Sequence, residues 1–441
     1  MHAGIDYERY LAEKKAAPAL CDNWLSKHKG RATELGLMPI TEDRSTEDFD
    51  EDVRQRIFLS QQDVDKAQAA NPHANFSIDV VYSILTNDEF KARVTNSYAT
   101  GNTTLQRSRK LRTQFDFVSS AKMLNKLTSR VESQTAADPL GDSVVAAKSP
   151  ETAMPSTSAT RGPKFGRHGT PITDTSCDEE AETKQWTIPT AAPVPTNAPT
   201  KAPVSTKTPT PATTEEATTT ATQSDSVDWT TSACISPVQN QGQCGDCWAF
   251  ATATASAVES AQCIAGGQKS LNKFSEQQLV SCNTQNNGCN GGAPQYAFDY
   301  ILEHGFCMED SFPYASSEGS VPPCASCTKA GTGITGYNVL EVGDEAGLIA
   351  AISERPTVVT VAAGNAAWKQ YTGGVLSSCE TTDLNHLVVA VGYDTTSLKI
   401  RNSWGEDWGE DGYIRLERTS SGSGTCGVMK QMVPLATGEN L

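Results

Sequence analysis

Whatever fold this chain adopts must carry the thiol of Cys247 across most of the C-terminal half, because the groups that would complete its chemistry lie far downstream. Gln241 opens the block Gln-Gly-Gln-Cys-Gly-Asp-Cys-Trp-Ala-Phe, in which Cys247 is followed by Trp248, while His386, Asn402 and Trp404 stand in two later blocks. A thiol, a proton acceptor, a group to orient that acceptor and a side-chain amide for an oxyanion together make an acyl-transfer site. A cysteine with histidine and asparagine partners about 130 to 150 residues later is a known nucleophile spacing. The search for a base is short, since residues 226–441 hold only His304 and His386. His304 precedes Gly305 at an expected helix end, where a cation favours the carbonyl-rich terminus, and is read as structural.

The local pattern places these residues. Cys247 opens an Ala-rich segment running to about Cys263, with Phe250, Ala257, Val258 and Ala261 at helical spacing and Gly266-Gly267 behind it, which predicts one helix. A thiol at its N-terminal end faces unpaired N–H groups that favour a thiolate. Ser275-Glu276-Gln277-Gln278 predicts a capping box, and Ala293 to Glu303 a further helix ending at Gly305. The final third changes to strand period at Thr357 to Ala363, Leu387 to Asp394, Lys399 to Ser403 and Gly412 to Leu416. Asn402 ends one such strand, where a neighbouring strand can bring it to His386.

Further segments carry a family resemblance: Val227-Asp228-Trp229, Asn240-Gln241-Gly242-Gln243-Cys244, Cys289-Asn290-Gly291-Gly292, Leu384-Asn385-His386 and Asn402-Ser403-Trp404-Gly405. From about Ser226 to Leu441 the chain resembles the papain and cathepsin cysteine peptidases. The resemblance implies an α+β fold of two lobes, one helical and one β-barrel-like, with the active-site cleft between them. It implies Cys247 as nucleophile, His386 as base and acid, and Asn402 as the group that holds the imidazole. Trp404 would cover that contact, and Gln241 would donate to the oxyanion together with the Cys247 N–H. Gly291, Gly292 and Asn385 would bind substrate, and Ala293, Pro294, Thr360, Leu384 and Gln431 would line the pocket for the residue two before the cut. Most of these are apolar or small, so hydrophobic side chains are expected there. No long insertion with paired histidines interrupts Cys289 to Phe312, which implies an open cleft and an endopeptidase. One departure stands beside the nucleophile: Asp246 replaces the usual small Ser or Ala. Its carboxylate is expected to oppose thiolate formation.

Residues 1–125 resemble the inhibitory propeptide of the same family. Arg54 and Phe58 fit its helix pattern, Gln61 stands where Asn is usual, and Val80 and Ile84 replace an expected Asn and Asp. Between these halves, 126–225 is rich in Thr, Pro, Ala and Ser with few aromatics; such a composition cannot bury a core and reads as a disordered linker open to O-glycosylation. Sequons stand at Asn75 and Asn102. Residues 226–441 form the expected catalytic domain.

Eleven of thirteen cysteines fall in that domain. Setting Cys247 aside leaves ten, enough for five bridges and a sign of an oxidising compartment. The resemblance implies Cys244 with Cys289, Cys379 with Cys426, and Cys282 with Cys324 or Cys327. Cys234 with Cys263 is a further candidate, and Cys307 takes whichever of Cys324 and Cys327 remains. Met1 to Asp6 lacks the basic start and apolar stretch of a secretory leader, so one is expected to be missing from the sequence. The expected location is secreted, lysosomal or vacuolar.

The formal charge is −16, and from Ser226 onward 10 Lys and Arg face 22 Asp and Glu, a net of −12. That argues against nucleic acid as a partner. No run is long enough for a membrane span. The expected partners are protein or peptide substrates and the chain's own propeptide, acting on a monomer. No cofactor or metal is expected, because Cys324-Ala325-Ser326-Cys327 lacks a second ligand pair to complete a zinc site. Two other readings compete with the peptidase: a thioredoxin-type pair at Cys244 and Cys247, and a catalytically silent binding or storage protein of the same fold.

Overall fold

The computed structural model describes residues 2, 4–13, 17–39, 45–95, 224–253 and 257–438. The expected linker lies outside the described residues except for Ser224 and Asp225, as does the sequon at Asn102. Asn75 is exposed on a short strand.

The N-terminal segment comprises α1 (Tyr7–Glu13), α2 (Ala17–Glu34), α3 (Thr46–Ala70), β1 (Ala74–Phe76), a 3-10 turn (Val81–Ile84) and α4 (Asn87–Phe90). Ser45 starts α3 by accepting from the Asp48 N–H, and Glu47 and Asp48 complement the helix dipole. Thr86 and Glu89 form a reciprocal capping box on α4. The motif residues of α3 play unequal parts. Phe58 is buried against Tyr10, whereas Arg54 pairs with Glu51 one turn away and Gln61 donates to Asp65. The long-range anchor is Arg56. It bonds Asp52 and the Ile84 carbonyl and grips both carboxylate oxygens of Glu89, tying α3 to the 3-10 turn and to α4. A planar guanidinium suits this fork-to-fork pairing.

The C-terminal half runs β2 (Val227–Asp228), α5 (Cys247–Ala253), α6 (Val258–Ala265), α7 (Glu276–Cys282), α8 (Pro294–His304), β3 (Phe306–Cys307), β4 (Lys329–Ala330) and β5 (Ile334–Tyr337). It continues through α9 (Glu345–Glu354), β6 (Thr357–Val361), α10 (Ala366–Lys369), β7 (Tyr371–Leu376), β8 (His386–Tyr393), β9 (Ser397–Arg401), β10 (Tyr413–Glu417), β11 (Met432–Val433) and β12 (Leu435–Thr437). Helices precede the sheet, as the pattern predicts. Of the helix expected over 247–263, the described residues show α5 up to Ala253, a bend at Ala257 and α6 from Val258. Ser275 caps α7 through the Gln278 N–H, but the box is not reciprocal: the Gln278 amide is spent on the Cys307 N–H and the Gly305 carbonyl.

The main sheet has the order β1-β7-β10-β9-β8-β6-β11, with β2 on β8. It is an open sheet, not a closed barrel, and its edge strand β1 comes from the N-terminal segment. Strand β8 is buried throughout because both its faces are covered. Leu387, Val389 and Val391 pack with α5 and α8, while Val388 and Ala390 join a core that also contains Trp24, Ile57, Tyr82 and Phe90 of the N-terminal segment. That segment therefore shares its core with the sheet lobe.

Five disulfides join described residues: Cys234–Cys263, Cys244–Cys289, Cys282–Cys324, Cys307–Cys327 and Cys379–Cys426. Their pattern separates Cys324 from Cys327, which removes the zinc-pair reading. It also commits Cys244 elsewhere, which removes the redox pair with Cys247.

Replacing Arg56 by Ala strands Glu89 and frees the 81–90 stretch. The variant should lose about 2 to 4 kcal/mol in urea denaturation and become cleavable within 81–90 by a probe protease. Arg54→Ala removes a pair within one helix and should cost about 1 kcal/mol or less.

Candidate active site

Cys247 is the first residue of α5 and His386 the first of β8, so the two lobes present them from adjoining element ends. Leu387 closes the joint: its N–H donates to Cys247 Sγ at 3.1 Å. The antiparallel pairing of β8 with β9 then brings residues 402–404 back beside His386. His386 Nε2 lies 2.8 Å from Asn402 Oδ1, and Trp404 stacks on the imidazole at 4.8 Å between ring centroids.

The proton on this imidazole can be assigned. Asn402 Oδ1 also accepts the Ser403 N–H at 2.8 Å, which fixes the amide with its oxygen toward the ring. A carbonyl oxygen only accepts, so the neutral His386 carries its proton on Nε2 and its lone pair on Nδ1. That Nδ1 is buried and has no hydrogen-bond partner among the described residues. Burial pushes His386 down to about 4, against the opposing pull of the Asn402 contact.

Gln241 is fully buried. Its N–H donates to the Ser403 carbonyl at 2.9 Å, its Oε1 accepts the Ser403 hydroxyl at 2.6 Å, and one Nε2 hydrogen goes to the Cys244 carbonyl at 2.8 Å. The second Nε2 hydrogen is left over for another acceptor. Gly242 follows with φ +66°, its Cα against the Ser317 backbone, where a side chain has no room.

Asp246 overturns the expectation placed on it. Its side chain is fully buried, with the Tyr314 hydroxyl 2.8 Å from Oδ2. The same hydroxyl is 2.8 Å from the Gln241 carbonyl, which can only accept. Tyr314 has a single hydroxyl proton, so when it donates to the Gln241 carbonyl its oxygen accepts from the Asp246 carboxyl, an arrangement that favours the neutral acid. Burial drives the Asp246 carboxyl well above the usual range, in the same direction. A neutral acid does not oppose a thiolate. Its charge was expected because the sequence places Asp246 beside Cys247 but is silent about Tyr314, 68 residues away.

The expected substrate residues divide between the lobes. Gly291, Gly292, Ala293 and Pro294 are buried on the helical side, with Ala293 held at both its N–H and its carbonyl by the Asn286 amide. A Cβ on Gly292 would lie 2.7 Å from Trp248 and Asn286, so only glycine fits. On the sheet side the Thr360 hydroxyl donates to Gln431 Oε1 at 2.9 Å, and Asn385 Oδ1 accepts from Ala363 and Gly364. Leu384 is half-buried beside them. His304 is exposed at the end of α8 against Tyr300, away from the site.

Sequence reading missed Ser403 and Tyr314, which fasten Gln241, and Trp368, which packs on Trp404 and faces His386. Ser403 lay inside a quoted block; Tyr314 and Trp368 carry no local signal. The N-terminal segment reaches the edge of the site: Tyr82 and Phe90 lie edge-on to Trp404 at 6.0 and 5.4 Å.

Residues 223–435 match the family model described as papain family cysteine protease. Mexicain from Jacaratia mexicana is 39% identical over 207 residues, covering 46% of this chain and 94% of that protein. Oryzain beta chain from Oryza sativa subsp. japonica is 40% identical over 225 residues, covering 49% of this chain, and the match spans 47% of the rice protein's length. The proform crystal structure of the ragweed pollen cysteine protease Amb a 11 shares the fold, with a TM-score of 0.58 at 22% identity over 98% of this chain and 96% of that one.

Two measurements check this geometry. His386 remains neutral in the fold while its unfolded counterpart takes up a proton below about pH 6.5. Its contribution is complete above that pH and is lost as pH falls toward about 4. Relative to His386→Leu, the chain should lose roughly 3 kcal/mol across that window by urea denaturation. Tyr314→Phe leaves Asp246 and the Gln241 carbonyl without their shared partner and should cost about 1 to 3 kcal/mol, while Asp246→Asn, which keeps a donor, should cost less.

Proposed function

Since the chain belongs to the papain family of cysteine proteases, we propose that it is the inactive precursor of a cysteine endopeptidase, with residues 1–125 as its inhibitory propeptide. The observation that carries this is the unpartnered Nδ1 of His386, the residue next to the Leu387 N–H that holds the Cys247 thiol. Nδ1 takes the proton of Cys247, and the thiolate adds to a peptide carbonyl. The oxyanion takes the Cys247 N–H and the second hydrogen of Gln241 Nε2. As the C–N bond breaks, His386 returns the proton to the leaving amine, which leaves a thioester. Water, deprotonated by His386, cleaves that thioester and restores the thiol. Asn402 keeps the ring in the required tautomer, and Trp404 shields their contact.

Gly291, Gly292 and Asn385 bind the substrate main chain. The pocket of Ala293, Pro294, Thr360, Leu384 and Gln431 takes a hydrophobic side chain two before the cut; the Thr360 hydroxyl already occupies Gln431 Oε1, which supports that preference. In the precursor, Tyr82 and Phe90 sit where a substrate would lie on Trp404. Five disulfides support a secretory route.

The test is hydrolysis of a dipeptidyl aminocoumarin with a hydrophobic second residue, after mild acid and reductant have released the N-terminal segment. Turnover should be titrated by an epoxysuccinyl thiol inhibitor, absent in Cys247→Ala, and about 100- to 1,000-fold lower in kcat for Gln241→Ala. Folded, processed protein that cleaves no such substrate would point to the silent binding protein.

A further inference from the structure

Lys369 ends α10 with its side chain completely buried. Its ammonium is held by three acceptors: Asp63 Oδ2 at 3.1 Å, the Leu85 carbonyl at 3.2 Å and Asn87 Oδ1 at 2.7 Å. All three belong to the N-terminal segment. Next to it Gln370 Nε2 is also buried, with no hydrogen-bond partner among the described residues. A buried cation needs a counter-charge, and burial here pushes Lys369 down against the pull of Asp63. Among the described residues the sheet lobe supplies no hydrogen-bonded acceptor for it; Glu380 contributes only at longer range, as does Glu89 from the N-terminal segment. Once that segment departs, a cation that had three acceptors has none.

Its position gives that cation a purpose. Lys369 follows Trp368, whose ring is 6.1 Å from Trp404 and 6.4 Å from His386. Protonation of the leaving amine by His386 requires the departing chain to lie on the imidazole side, and Trp404 and Trp368 extend that side outward from the ring. We propose that Lys369 is a specificity-determining residue that binds a substrate carboxylate on the leaving-group side of the cut, so that the processed enzyme prefers peptides with Asp or Glu there. The Asp63 carboxylate occupies this subsite in the precursor. This inference rests on the peptidase reading.

It is tested with internally quenched peptides that share one acyl side and carry Asp, Glu, Ala or Lys at each of the first three positions after the cut. The enzyme is processed from the full chain. At one position an acidic residue should raise kcat/KM about fivefold over Ala, the upper end for a solvent-accessible ion pair, and the advantage should shrink with added salt. Lys369→Glu should turn the preference toward Lys. Should that precursor fail to accumulate beside Asp63, the charge-swapped pair Asp63→Lys with Lys369→Glu restores a counter-charge and gives the same readout. Equal rates for Asp, Glu and Ala at all three positions, or an acid preference surviving in the variant, overturns the subsite. The aminocoumarin substrate has no residue after the cut, so its turnover together with equal rates discards the subsite alone; no turnover discards the peptidase reading and the subsite with it.

Discussion

The bond from the Leu387 N–H to Cys247 Sγ is the contact on which the arrangement depends. It joins the first residue of a helix in one core to the second residue of a strand whose alternate side chains enter both cores. With that joint made, the side chain before Leu387 and the first turn of α5 share one place, and the β8–β9 pairing needs only to return Asn402 and Trp404 to it. The two clusters of buried apolar side chains meet along β8, so packing on both faces keeps the joint closed.

Burial changes the chemistry of these groups. Burial holds His386 down and pushes the Asp246 carboxyl well above its usual range, and Lys369 donates to acceptors that do not belong to its own lobe. The low-dielectric surroundings of these groups thus set their protonation. Because the segment adds a strand to β7 and shares a core with the sheet lobe, its removal exposes apolar surface and a strand edge together.

How far the chain could be read in advance differed by kind of residue. Cys247, His386, Asn402, Trp404 and Gln241 were legible because rare side chains stood in short blocks at a known spacing, and the structure gathers all five. Helix and strand order was legible from the change of hydrophobic period, and Gly305 marked the end of α8. Arg56 was overlooked in favour of Arg54 because the motif is a pattern of positions, while the choice between two arginines on one helix depends on where Glu89 and the Ile84 carbonyl arrive.

The residue types and spacing of the thiol site, the apolar run of β8 and the turn chemistry around the helices were determined by the sequence alone, since each follows from residue type and local spacing. The open form of the sheet, the neutral state of Asp246, the partner of Arg56 and the captive ammonium of Lys369 were decided only by tertiary structure. In each of these the deciding group is distant in sequence, and the free energy of a charge or an unpaired polar atom depends on what surrounds it after folding.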